Sequence, residues 1–327
     1  MDEAWYRPMG FVLRLRSDCR AVLAAAEDAF RGFGPAAPRA APDLDFLLLA
    51  REKGAGRVAE GPFVHEVRGQ RVRVRGRGSF LIVDRARARA WGRLGPALME
   101  EPATLRLEVL ELALQLMLSA RGFLGVHAAA IVHGRRAALL RAAGGGGKTT
   151  LAYAAARGRM QVLAEDVVWI DPAHETWWGL PWWLHPRPES CELFPELAGR
   201  MPMLQRGGVF KLAVAVDSIH PGSAVPRALP GPVVLVQRRQ DAAPSRLTAL
   251  ALPAALDLWH AGKAGTEEEL PDYHHRVRQL LAGNAWRLDL GSDLDAALAL
   301  VADLLAAAGE DSASIPAAPV TRESESL

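Results

Sequence analysis

At 327 residues the chain has room for one large α/β domain or two smaller ones. Half of it is hydrophobic and 23% is charged, the composition of an ordinary globular protein, and 39 basic residues against 37 acidic ones leave a formal net charge of +2. Global charge therefore points to no nucleic acid or other polyanionic partner, and two distant cysteines, Cys19 and Cys191, give neither a metal-ligand spacing nor a disulfide framework.

The first residues, MDEAWYRPMGFVLRL, carry acids and no apolar core of signal-peptide length, so a reduced, cytoplasmic chain is expected. FVLRLR (11–16) reads as a strand, CRAVLAAAEDAFRGF as an amphipathic helix and LDFLLLA (44–50) as a strand. PFVHEVRGQRVRVRGRGSFLIVD then alternates, punctuated by Gly69, Gly76 and Gly78, and predicts an antiparallel meander. Arg71, Arg73 and Arg75 fall on one face of it and Val72 and Val74 on the other, which is the pattern of a half-buried sheet; an anionic peptide on the basic face is the alternative. The most apolar helical run, 105–120, is interrupted by Arg106, Glu108, Glu111 and Gln115, too short and too charged to span a bilayer, so a buried helix is predicted and no membrane partner. That helix, 102–121 and closed by Gly122, reads as the linker that ends an N-terminal mixed α/β domain assigned to residues 1–122.

A second domain is assigned to 123–308. FLGVHAAAIV and RAALLR are apolar strands joined by a hairpin signal at His133-Gly134-Arg135. The second strand runs into AAGGGGKTT, and TTLAYAAARG continues as a helix ending at Gly158. MQVLAEDVVWID (160–171) follows as a buried strand with acids in its middle. After a Pro/Trp-rich stretch come strands KLAVAV and PVVLVQ, then helices near 254–261 and 294–308. Residues 309–327 have too little apolar content to pack and read as a disordered tail.

Strand, glycine turn, helix, strand is the order that phosphate binding requires. Gly144, Gly145, Gly146 and Gly147 let backbone N–H groups turn inward as an anion nest, and the helix starting near Lys148 adds the positive end of its dipole. Lys148 is placed to reach the β- and γ-phosphates and Thr149 to put its hydroxyl on Mg²⁺, with Thr150 a further donor. Ala142 occupies the first glycine position of G-x-x-x-x-G-K-[ST], tolerable at negative φ and costly at positive φ. Glu165 and Asp166 are costly in an apolar strand without a cation or a proton-transfer partner. Alternation sends them to opposite faces, one to accept the proton of an attacking hydroxyl, the other to bind Mg²⁺ or hold Lys148. His127, in the strand before the hairpin, is either a core histidine or a neighbour of the loop.

Together GVHAAAIVHG, AAGGGGKTTLAYAAARG and LAEDVVWID resemble the HPr kinase/phosphorylase catalytic domain, and more closely its relatives in peptide-maturation gene clusters; LHPRPESCELFPEL and FKLAVAV match its downstream pattern loosely. The resemblance spans roughly 123–308. It implies an α/β fold with a P-loop kinase core of the HPr kinase/phosphoenolpyruvate carboxykinase type, and an ATP- and Mg²⁺-dependent kinase acting on a serine hydroxyl of a peptide or small protein. Carried over, Lys148 and Thr149 match the loop lysine and the metal-binding hydroxyl, His127 the strand histidine, Glu165 the acid that acts as base, and Asp166 the second acid, taken here as a metal ligand. Glu165 stands where the family has aspartate, and the glycine-rich signature of HPr-directed enzymes is missing after the acid pair, so HPr is not the expected substrate.

Arg187, Arg206, Lys211 and Arg238 are further candidates for charge stabilisation, Lys211 foremost. Trp177, Trp178, Trp182 and Trp183 read as a hydrophobic corner or as a platform for adenine or peptide, and His274-His275 as helix surface. Two other functions share these motifs: a nucleotide-binding regulatory protein without efficient transfer, and a kinase for a small hydroxyl compound. Self-association into a homo-oligomer is left open.

Overall fold

The computed structural model describes residues 1–51, 63–158, 160–171, 173–204, 209–239, 243–262 and 272–310. The tail read as disordered lies outside the described residues from 311 onward, and residues 309 and 310 complete the last helix instead. Arg206 also lies outside them.

The first half is a mixed sheet backed by helices. Its strands are β1 (Asp2–Tyr6), β2 (Leu13–Ser17), β3 (Leu44–Ala50), β4 (Val64–Arg68), β5 (Arg71–Gly76), β6 (Ser79–Asp84) and β7 (Arg89–Leu94), in the order β1-β2-β3-β7-β6-β5-β4. Helix α1 (Arg20–Phe30) crosses between the parallel pair β2 and β3 and buries Val22, Ala25, Ala26, Ala29 and Phe30 on one side. The alternation in β5 holds: Val72 and Val74 are buried in the core and Arg71, Arg73 and Arg75 are exposed. The helix predicted over 102–121 is one continuous path in three pieces, following a short α2 (Pro96–Met99). These pieces are α3 (Pro102–Leu105), a π-helical turn (Arg106–Glu111) and α4 (Leu112–Ser119). Gly122 then takes φ +79°, the left-handed cap that ends it. Leu105, Val109, Leu110, Leu114, Met117 and Leu118 lie in the same core as the sheet, so this helix is part of that core and not a linker over the surface.

The second half is a larger sheet. Its elements run β8 (Leu124–His127), β9 (Ala129–His133), β10 (Arg136–Arg141), α5 (Lys148–Arg157), β11 (Gln161–Ala164), β12 (Val167–Asp171), β13 (Thr176–Trp178), β14 (Trp183–Leu184), β15 (Met203–Leu204), β16 (Phe210–Lys211), β17 (Val214–Ala215), α6 (Val216–Ile219), β18 (Arg227–Arg238), β19 (Arg246–Ala249), α7 (Leu252–His260), α8 (Tyr273–Leu281), β20 (Ala285–Leu290) and α9 (Leu294–Glu310). The strand order is β11-β9-β10-β18-β13-β12-β8, with β20 beside β18 and β19 on β20. β18 is the axis: β10 and β20 lie parallel to it and β13 antiparallel. Helices α5 and α9 cover one face, α7 and α8 the other. The chain is thus mixed α/β with mixed sheets. Among the described residues no helix is long and apolar enough to cross a membrane.

Three sequence expectations change here. The runs 123–132 and 160–171, each expected as one strand, are each broken: β8 and β9 separate at Ala128, β11 and β12 at Glu165-Asp166. The breaks face each other, with the Ala128 N–H donating to the Asp166 carbonyl at 3.0 Å. Beyond the bend β12 sends Trp169 into the first core, while Leu124, Val126 and Val168 pack in a core of the second sheet. Gly125 makes room for this, since a Cβ there would lie 2.7 Å from the Trp169 ring. KLAVAV is likewise no single strand. Its alternation is right, with Leu212, Val214 and Val216 buried, but it divides into β16, β17 and α6.

Candidate functional site

β10 delivers the chain to residues 142–147, and α5 leaves them. Gly145 (φ +81°) and Gly147 (φ +100°) hold conformations that a side chain would strain, which explains two of the four glycines. Gly146 is fixed by packing, as a Cβ there would lie 2.7 Å from Ala142 Cβ, while Gly144 faces open space. Ala142 itself is buried and does not have positive φ, so alanine in place of the usual first glycine carries no backbone strain. The Gly146 N–H donates to the Ala143 carbonyl at 2.9 Å and closes the turn. Lys148, Thr149 and Thr150 form the first turn of α5, where backbone N–H groups have no helical partner. Lys148 Nζ folds back to donate to the Ala142 carbonyl at 2.9 Å. Burial lowers the Lys148 pKa, and the nearby Asp166 and Glu165 charges oppose that shift.

The acid pair lies at the bend between β11 and β12, not inside a strand, and the two carboxylates separate sharply. Glu165 is buried, 5% exposed, and both its oxygens are engaged. Oε1 accepts from the Thr149 hydroxyl at 2.5 Å and Oε2 meets His185 Nδ1 at 3.3 Å. Burial works to raise its pKa, but the hydrogen bond from His185 and the charge of Lys211 outweigh it, and the carboxyl is held below its ordinary range. Asp166 is open, its side chain 61% exposed, with Oδ1 3.2 Å from His127 Nδ1. Desolvation opposes its charge, yet the His127 contact and Lys211 bring its pKa down to about 2. Glu165, expected as the base, is thus held by Thr149 and His185, and the more exposed of the two carboxylates is Asp166. Behind His127, the buried Arg141 donates to the His127 carbonyl at 3.3 Å and stacks on Trp259, 4.2 Å from the ring centroid.

A cavity of about 590 Å³ opens where the two sheets meet. Glu165, Asp166, His185 and Lys211 form its floor, Trp169, Leu180 and Trp183 one wall, and Thr104, Arg106 and Gln115 from the helix layer of the first sheet another. None of residues 142–150 lines it, so the acid pair stands between the glycine turn and the cavity. Trp182 packs on Gly32 and meets Phe33 edge-on at 5.7 Å, joining the two halves, while Trp177 is fully buried in a core of the second. Arg187 and Arg238 are exposed and away from this floor, and His274 and His275 are on the surface of α8. Among the described residues no group of three or more His, Cys, Asp or Glu side chains is arranged to hold a metal ion alone.

Sequence reasoning missed His185, Arg141 and the part played by Arg106. For Arg106 a signal existed, since a charge within an otherwise apolar helix needs a buried partner. His185 had none, because its partners, Arg106 and Glu165, come from two distant segments.

No protein-family model and no curated protein matches this chain. The structure of the Hpr(Ser) kinase/phosphatase from Coxiella burnetii aligns over 57% of this chain and 97% of that one, with 11% identity and a TM-score of 0.28, a loose similarity from which nothing about this site follows.

Proposed function

We propose that the protein binds ATP at residues 144–149 and, with Mg²⁺, transfers the γ-phosphate to a hydroxyl group held in the cavity between the sheets. The supporting observation is the difference between the two acids on the cavity floor, Glu165 buried and clasped by Thr149 and His185, Asp166 exposed beside His127. The inward N–H groups of the glycine turn, the Lys148 ammonium and the start of α5 supply the fixed positive field that triphosphate oxygens require. Thr149 and the Asp166 carboxylate are hard oxygen donors, the kind Mg²⁺ takes in small number alongside phosphates and water, with Glu165 orienting the Thr149 hydroxyl. Bound there, Mg²⁺ would neutralise charge on the β- and γ-oxygens.

Asp166 accepts a hydrogen bond from the acceptor hydroxyl and aims its oxygen in line. As the new O–P bond forms and the β–γ bridging bond breaks, the attacking oxygen becomes far more acidic. A carboxylate with pKa about 2 then suffices to take its proton, oriented by the His127 contact at 3.2 Å. Lys211 and Lys148 offset the charge that spreads over the transferred group. The acceptor class we assign is a serine hydroxyl on a peptide or small protein, entering the cavity as one side chain with its neighbours.

The test is incubation with ATP and Mg²⁺ plus L-serine, N-acetylserinamide and serine-containing peptides, reading added phosphate by mass. Asp166→Asn should lower transfer by about 10²–10⁴-fold while ATP still binds. ATP binding without transfer to any acceptor or to water, unaltered in Asp166→Asn, would instead make this a nucleotide-responsive binding protein.

A further inference from the structure

A line of buried polar side chains joins the helix layer of the first sheet to the first turn of α5. Arg106 Nη1 donates to Glu111 Oε1 at 2.6 Å and Arg106 Nη2 meets His185 Nε2 at 3.3 Å; His185 and Thr149 then hold the two oxygens of Glu165. The side chains of Arg106, Glu111, His185 and Glu165 are 4%, 7%, 8% and 5% exposed. A guanidinium only donates, so His185 Nε2 accepts and its ring proton is on Nδ1, facing Glu165. The two carboxylates of the line, Glu111 and Glu165, thus accept from Arg106, His185 and Thr149.

The π-helical turn makes this possible. Residues five apart on an α-helix point about 140° from one another, so Arg106 and Glu111 would diverge. The wider turn brings i and i+5 together, letting Glu111 brace one arm of the guanidinium while the other reaches His185. The Trp183 ring, 4.9 Å from the guanidinium carbon, packs against it. Stability does not account for the arrangement, since a buried ion pair is no more stabilising than an apolar pair of the same volume.

We infer that Arg106 and His185 are positioning residues for the cation that accompanies the nucleotide, an inference that rests on the ATP-binding reading above. They hold Glu165 so that it takes the Thr149 hydroxyl proton, which leaves the threonine lone pairs free for Mg²⁺. Without them the Glu165 carboxylate turns toward Lys211 or Lys148, and Thr149 loses its orientation. The helix layer of the first sheet is then part of the cation site, although no residue of it touches the loop.

The experiment is a Mg²⁺ titration of the full chain at saturating ATP, with Mg²⁺-free ATP binding measured in parallel. The double variant Arg106→Leu/Glu111→Leu removes both charges at once and leaves only His185 Nε2 without its partner. It should weaken the apparent Mg²⁺ affinity about 10–100-fold, as loss of outer-shell support does, and leave Mg²⁺-free ATP affinity unchanged. His185→Leu should do the same, and serves if the double variant does not fold, whereas His185→Gln, which keeps a donor and an acceptor, should recover most of the affinity. A folded double variant, or His185→Leu, with wild-type Mg²⁺ affinity overturns the inference and leaves the ATP-binding reading standing. ATP binding to the wild-type chain that ignores Mg²⁺ overturns that reading itself, and this inference with it.

Discussion

Thr149→Val isolates one bond. Valine keeps the volume and the β-branch of threonine, so helix propensity and packing change little and the hydroxyl alone is lost. In the folded protein that hydroxyl donates at 2.5 Å to Glu165, which is 5% exposed and whose other oxygen is already used by His185. A hydrogen bond to a charged group contributes about 1.5–3 kcal/mol net, and leaving a buried carboxylate oxygen unpaired costs a similar amount, so a loss of about 2 kcal/mol is expected. Thr150→Val is the control: Thr150 has no side-chain bond among the described residues, and the change should stay within about 0.5 kcal/mol. Urea unfolding at pH 7 reads both, with Cm compared at constant m. If Thr149→Val costs no more than the control, Glu165 is not an ionised carboxylate held by Thr149, and the separation of the two acids loses its basis.

The pH dependence follows from the same pair. Asp166 and Glu165 both have depressed pKa values, so their contribution to stability is complete above the unfolded-state carboxylate range and is lost as pH falls through the folded values. For Asp166 the window runs from 3.8 down to about 2. The stability gap between wild type and Asp166→Asn should be flat above pH 5 and close across that window; a gap that persists below pH 2 contradicts the His127 contact. In the glycine turn, Gly146→Ala places a Cβ 2.7 Å from that of Ala142 and should abolish ATP binding, measured by calorimetric titration. Ala142→Gly should leave the affinity within a few-fold, because Ala142 carries no strain to relieve. A large gain in Ala142→Gly would show that the turn is distorted after all.

Much of this architecture is written in short-range pattern. LDFLLLA is strand β3 residue for residue, Arg71 to Arg75 alternate with buried valines as the period of two requires, and His133-Gly134-Arg135 makes its hairpin with Gly134 at φ +63°. The strand, glycine turn and helix around Lys148 were equally legible, because φ preference and helix initiation are properties of a few adjacent residues. Periodicity was silent where a strand changes partners. LAEDVVWID alternates well enough to pass for one strand, and only the pull of Trp169 into the other core bends it at Glu165.

The sequence by itself determined which chemical groups stand in a row: four glycines, a lysine, two threonines, two acids. The tertiary structure decided which acid faces which way. Glu165 is held by Thr149 from α5 and His185 from beyond β14, and Asp166 is left exposed, because a bend between two packed sheets is a compromise among segments far apart in the chain. Desolvation and hydrogen bonding at that bend, neither of which any local window encodes, give neighbouring carboxylates different surroundings.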